Sequence, residues 1–264
     1  MPDVSNTELN WLAADWPAPR GVVAGCTTRQ GGVSRGAYAA LNLADHVGDD
    51  PVAVQRNRQL LQARLELARP PSWLTQVHGA EVCVLGDTQL PAGVEADAAF
   101  SRYRGAICAV MTADCLPVLL TSRAGSEVAA VHAGWRGLAK GVMESALHQF
   151  SAEPTDVLAW LGPAIGPTAY EVGEDVFDAF VREDAGAAAA FGATRPGHWY
   201  LDMYALARRR LNRAGVQAIY GGGFCTYTDA DRFYSYRRDG VTGRMASLIW
   251  MDAGEREKKT RGTS

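Results

Sequence analysis

The spacing of hydrophobic positions changes several times along the chain, and each change predicts an element. In DDPVAVQRNRQLLQARLEL, Val54, Leu61 and Leu65 fall on one helical face. Asp50 can cap that helix, and Pro51 suits a first turn where no N–H is needed. SWLTQVHGAEVCVLG then reads as strand with a bulge at Gly79. GAICAVMTADCLPVLLTS predicts two short strands broken at TADCLP, and SEVAAVHA a third that ends at His132. GLAKGVMESALHQF predicts one amphipathic helix, with Leu138, Val142, Ala146 and Phe150 four apart. DVLAWLG is strand, stopped by GPAIGP, a turn no helix tolerates. GEDVFDAFV and YLDMYALARRRLNRAG are helices, the second with Gly215 placed to end it. VQAIY and MASLIWM close the chain as strands, and the Ala/Gly-rich EDAGAAAAFGATRPG reads as a surface loop.

Helices and strands do not alternate strictly, and neither a repeat nor a Pro/Ser linker interrupts the pattern. One α+β domain over residues 1–254, with mixed sheets, is the expected architecture. Residues 255–264 are charged, lack apolar anchors and read as a frayed tail.

Composition narrows the function classes. The chain has 264 residues, 47% hydrophobic and 21% charged, with a net charge of −3. That suits a soluble protein with a sizeable core. The basic residues are dispersed, which argues against a nucleic-acid footprint. No apolar run reaches a membrane span. The opening MPDVSNTELNWL lacks the basic and apolar regions of a signal peptide. Five cysteines without paired spacing suggest reduced thiols and a cytoplasmic location. Monomer and homodimer both remain open.

The chemistry-bearing residues are few. Of five histidines, His148 sits in a predicted helix and His198 in a loop. His78, Cys115 and His132 instead occupy strand ends or interruptions, beside small residues. In VHAGWRG, His132 closes a strand before a glycine-rich turn carrying Arg136. Two imidazoles and a thiolate make a tetrahedral zinc set with one open position. No closely spaced ligand pair anchors the site, so two core histidines and a buried, hydrophobe-like cysteine remain the alternative.

Longer motifs carry a resemblance. LTQVHGAEV, TADCLPVLL, VHAGWRGLAKGV, LGPAIGPTAYEVGEDV and FYSYRRDGVTGRMASLIW, with the opening TTRQGGVSRGAYAALNLADHVGDD, resemble the YfiH-like family. Its members are also called laccase-domain or multicopper polyphenol oxidase proteins, and purine nucleoside phosphorylases. The resemblance runs from about Thr27 to about Trp250. It departs at Ala37 to Leu41, where many relatives have Pro-Tyr-x-Ser-Leu.

The resemblance implies a single-domain, layered α/β/β/α-like sandwich, similar in shape to cysteine-hydrolase toxin domains. It implies zinc on His78, Cys115 and His132, with the neighbouring glycines keeping the space clear. It also implies phosphorolysis of adenosine, inosine and S-methyl-5′-thioadenosine to base and (methylthio)ribose 1-phosphate, together with adenosine deamination. Deamination needs a carboxylate to shuttle protons. Asp114, beside Cys115, is the candidate, with a turn-forming aspartate as its alternative. A phosphate cradle would draw on Arg29, Arg136 and Arg244, each of which could instead be structural. Arg29 is expected to reach the pocket from its glycine-rich loop. Asn42, His46 and Gln76 could hydrogen-bond ribose or base, and Tyr170 and Glu171 could line the mouth.

Three rival readings stand beside this one. His₂Cys is also a copper set, so copper-dependent phenol oxidation is open, although five histidines are few for a multicopper enzyme. A metal-free hydrolase or amidase acting on peptidoglycan precursors would use Cys115 as nucleophile and His132 as base. A non-catalytic nucleoside-binding module is the third.

Overall fold

The computed structural model describes residues 10–253. In chain order its strands are β1 (Trp11–Ala13), β2 (Val22–Thr27), β3 (Val82–Leu85), β4 (Ala98–Ser101), β5 (Ile107–Thr112), β6 (Leu116–Ser122) and β7 (Val128–Ala133). They continue as β8 (Val157–Leu161), β9 (Glu171–Gly173), β10 (Phe191–Arg195), β11 (His198–Leu201), β12 (Ala218–Gly221) and β13 (Met245–Met251). The helices are α1 (Pro51–Arg64), α2 (Trp135–Ala139), α3 (Val142–Leu147), α4 (Glu174–Val181), α5 (Met203–Arg213) and α6 (Tyr236–Asp239).

Two large sheets stack face to face. One is antiparallel throughout, in the order β1-β2-β13-β5. The other runs β12-β8-β6-β7-β4-β3, with parallel pairs at both edges and antiparallel pairs between. Alternation along each strand sorts its side chains into layers. On β5, Ile107, Ala109 and Met111 face the layer of α1, while Cys108 and Val110 face the second sheet. On β7, Val128 and Ala130 face the first sheet, while Ala129 and Val131 pack against α2 and α3. The result is helix, sheet, sheet, helix, the α/β/β/α sandwich that the motifs implied. In the helix that opens this stack, the Asp50 side chain accepts from Val52 N–H at 3.0 Å, and Val54 and Leu61 are buried.

Several local readings are corrected. The stretch expected as one strand around His78 is strand only from Val82; Ser72 and Thr75 make isolated bridges, and Val77–Gly79 turn. The helix expected from Gly137 to Phe150 is two helices, because Gly141 takes the left-handed conformation (φ +85°) between them. The predicted loop over residues 183–197 contains a 3₁₀ turn (Ala185–Ala190) and β10, which pairs with β11 in a third, three-stranded sheet. Small side chains carry no period, so pattern alone could not show that strand. The arginines of α5 are paired: Arg209 and Arg213 with Asp184, and Arg210 with Glu144 and Glu183. The tail reading lies outside the described residues.

Candidate metal centre

The chain crosses from one sheet to the other between β5 and β6, using only Ala113, Asp114 and Cys115. Asp114 has φ +90°, a conformation that costs a residue with a Cβ. Two hydrogen bonds hold it there. Thr226 Oγ1 donates to Oδ1 at 2.6 Å, and Arg237 N–H donates to Oδ2 at 2.7 Å. Cys115 follows directly, with Sγ 3.9 Å from His78 Nε2.

His132 arrives by strand alternation. It lies on the same face of β7 as Val128 and Ala130, so its imidazole enters the space between the sheets at their open end. His78 arrives by a turn, with φ +57°. Asp97, just before β4, organises that turn. Its carboxylate accepts from the consecutive N–H groups of Val77 (3.1 Å), His78 (3.0 Å) and Gly79 (2.6 Å). The same carboxylate meets His132 Nδ1 at 2.7 Å, leaving Nε2 for the cluster. One carboxylate at 0% exposure therefore orients both histidines.

The electrostatics follow from this packing. Burial alone would push the Cys115 thiol up; the charge and hydrogen bond of His132, then those of His78, outweigh it and hold the thiol well below its ordinary range. Burial would pull His132 down, but Cys115 and Asp97 together raise it. Burial likewise opposes ionisation of Asp97, and the bonds from His132, Gly79 and Val77 reverse this, keeping the carboxyl low.

The donor set fits a metal. The ligand atoms of His78, Cys115 and His132 all lie within 4.8 Å of one another. Ideal tetrahedral zinc, with bonds of about 2.0–2.3 Å, would set sulfur and nitrogen about 3.6 Å apart. The two imidazoles meet edge to face with centroids 4.8 Å apart. Gly134 closes the cluster from behind. A Cβ there would stand 2.9 Å from His78 Cδ2 and 3.0 Å from Cys115 Sγ, so any side chain would displace both ligands.

A cavity of about 380 Å³ opens over the three donors, lined also by His46, Gln76, Met111, Thr112, Ala113, Tyr236 and Arg244. Arg244 donates through Nη1 to the carbonyls of Thr242 (3.0 Å) and Gly243 (3.1 Å), which aims the remaining guanidinium nitrogens. The Thr112 hydroxyl is buried without a hydrogen-bond partner among the described residues. His46 stands at the junction with a second cavity of about 460 Å³, its Nδ1 3.6 Å from Asp45. Gln76 is clamped to β5, donating to Met111 O at 2.8 Å and accepting from Met111 N–H at 2.7 Å.

The other expected site residues go elsewhere. Arg29 does not line the cavity: it donates to the carbonyls of Ala39 (3.0 Å) and Ala230 (3.1 Å) and lies over the Tyr234 ring. Asn42 is buried and accepts from Arg244 N–H at 3.0 Å, so it supports that arginine from behind. Asp114 has both oxygens engaged and is absent from the cavity wall. Glu171 faces β10, pairing with Arg195 at 3.0 Å and Thr194 at 2.8 Å. Tyr170 lies under Arg237, and Arg136 folds over Trp135; neither lines the cavity. Two residues were missed. Asp97 was readable as a carboxylate stranded among small apolar residues in EADAAF, and Tyr236 lay inside a motif already singled out.

The family described as multi-copper polyphenol oxidoreductase laccase matches residues 23–252. The chain belongs to this family. It is 53% identical over 241 residues to the purine nucleoside phosphorylase YfiH of Escherichia coli, covering 91% of this chain and 98% of that one. A purine nucleoside phosphorylase of Pseudomonas aeruginosa is 52% identical over 242 residues, with the same coverage. Among solved structures, a Neisseria meningitidis protein superposes with a TM-score of 0.89 at 52% identity, covering 92% of this chain and 99% of that one. The family thus carries an oxidase description, while these two relatives are named phosphorylases.

Proposed function

We propose that the chain is a zinc-dependent purine nucleoside phosphorylase acting on adenosine, inosine and S-methyl-5′-thioadenosine. The observation that carries this reading is one cavity holding both a metal-capable His-Cys-His set and the aimed guanidinium of Arg244. A thiolate with two imidazoles suits zinc. A divalent ion held there supplies positive charge that polarises an oxygen ligand.

The protein's own side chains do the rest. Arg244 holds phosphate through charge-assisted hydrogen bonds, and Asn42 fixes the backbone of that arginine. His46 hydrogen-bonds the nucleoside at the mouth. Met111 and Ala113 exclude water from the wall. A phosphate oxygen forms a bond to C1′ of the ribose as the bond from C1′ to N9 breaks. The bonding pair leaves with the purine, which takes up a proton. Ribose 1-phosphate and free base are the products. All five cysteines are unpaired, which accords with work in a reducing cytoplasm.

Adenosine deamination is less supported, because no carboxylate is among the described residues that line the cavity. Multicopper oxidation is disfavoured by ligand count: of five histidines in the chain, only His46, His78 and His132 line this cavity. A thiol hydrolase would need Cys115 free to attack.

The test starts from protein purified without added metal. Elemental analysis should find zinc. Inosine should yield hypoxanthine only with phosphate present, and chelation should stop the reaction until zinc is returned. Arg244→Ala should raise the KM for phosphate. Iodoacetamide should label Cys115 faster after chelation than before. Phenol oxidation by the copper-loaded protein, with no phosphate-dependent release of base, would overturn the reading. So would base release that survives metal removal.

A further inference from the structure

Tyr236 opens α6 and stands 61% exposed, yet it lines the same cavity as His78, Cys115 and His132. Its phenol makes no hydrogen bond among the described residues. The backbone beneath it is tightly held. Arg237 N–H donates to Asp114 at 2.7 Å, and Arg237 Nη1 donates to Glu171 O at 2.9 Å. Arg238 N–H donates to Ser235 Oγ at 3.2 Å, and Arg238 Nη1 to Thr226 O at 2.7 Å. Three chain segments therefore fix the position of a ring that is itself left uncovered. The Arg244 guanidinium lies at the cavity edge of the ring, 5.8 Å from the ring centroid.

A pre-positioned, uncovered aromatic ring at the mouth of a polar cavity suits a flat heteroaromatic ligand. We infer that Tyr236 is the stacking platform for the purine base, holding the base at the mouth while ribose and phosphate lie inward towards Arg244. This rests on the phosphorylase reading above. It also gives Asp114 work other than proton transfer. Asp114 is a positioning residue, tying the platform to the turn that presents Cys115, so that base and metal ligands keep a fixed separation.

The experiment compares Tyr236→Ala, Tyr236→Leu and Tyr236→Phe with wild type, all loaded with zinc. Stacking on one aromatic ring changes base affinity by roughly tenfold to a hundredfold. Ala and Leu should raise the KM for inosine by that factor, leaving the KM for phosphate and the zinc content unchanged. Phe should recover most of the loss. The inference is overturned if Ala leaves the KM for inosine unchanged, if Phe is as damaged as Ala, or if the phosphate KM rises equally. Should wild type release no base from inosine, the phosphorylase reading falls by itself. Calorimetry with adenosine then decides the platform: weaker binding by Ala and Leu supports it, and equal or absent binding by wild type overturns it.

Discussion

The antiparallel pair β4 and β7 has a buried carboxylate at each end. Asp97 precedes β4 at 0% exposure, and Glu127 precedes β7 at 4%. Both gather main-chain donors: Asp97 those of Val77, His78 and Gly79, Glu127 those of Ser151 and Ala152 at 2.8 and 3.1 Å. In both, burial opposes ionisation and these bonds outweigh it, so each carboxyl is held low. They differ in the last partner. Arg102 Nε closes the Glu127 cluster at 2.8 Å, and its Nη2 goes on to Gln149 O and Ser151 Oγ, so that arginine ties loops together. His132 Nδ1 closes the Asp97 cluster, and its second nitrogen is left for a metal. The same device of folding becomes a clasp at one end and a ligand mount at the other.

The comparison predicts effects of decreasing size. His78→Ala or Cys115→Ser should abolish stoichiometric zinc binding by elemental analysis. Phosphorolysis should fall by more than about a hundredfold, beyond what loss of a partner outside the ligand set usually costs. Asp97→Asn keeps all three ligands but presents an amide N–H₂ where backbone N–H groups need an acceptor. Zinc affinity in a competitive chelator titration should drop by about tenfold to a hundredfold. If Asp97→Asn binds zinc like wild type, the mount does not act through that carboxylate.

Glu127→Gln should leave zinc content and turnover unchanged. It should lower stability by about 1–2 kcal/mol in urea unfolding, a figure kept small because Arg102 is half-exposed. Loss of zinc in that variant would erase the distinction between the two ends. The smallest effect is in pH. The folded carboxyl of Glu127 is depressed below its ordinary value near 4.5. Its contribution is therefore complete above that value and is lost as pH falls through the depressed one. The melting-temperature gap between wild type and Glu127→Gln should narrow in acid, below about pH 4.5; a gap that widens there would contradict the assignment.

Much of this was legible in the chain. The apolar runs of β5 to β8 and β13 were readable as strands because each is uniformly buried and bounded by turn residues. The break at TADCLP was readable, and it is the crossing between sheets. His132 was readable as a histidine near a strand end and Cys115 as a cysteine at a strand break, whereas His78 sits in a turn that the sequence had shown as strand; the structure brings their donor atoms within 4.8 Å of one another. Arg29 is turned away from the cavity because its guanidinium bonds the carbonyl of Ala39 in its own loop and that of Ala230, far along the chain, a long-range contact with no trace in the loop's sequence. For Asp114 the structure favours the alternative of a turn-forming aspartate: at φ +90° its two oxygens accept from Thr226 Oγ1 and Arg237 N–H, contacts made by residues distant in sequence.

By itself, then, the pattern of the sequence determined the α+β class and the donor residue types, since apolar runs and residue type are local properties of the chain, while the layering was implied only by the family resemblance. Only the tertiary structure decided which donors meet. Asp97 joins the His78 turn to His132 on β7, Asn42 supports Arg244 from the far end of the chain, and Tyr236 is held at the cavity by the bond from its neighbour Arg237 to Asp114. Such contacts depend on the register of strands distant in sequence and on buried polar groups finding partners. Neither leaves a periodic trace in the order of residues.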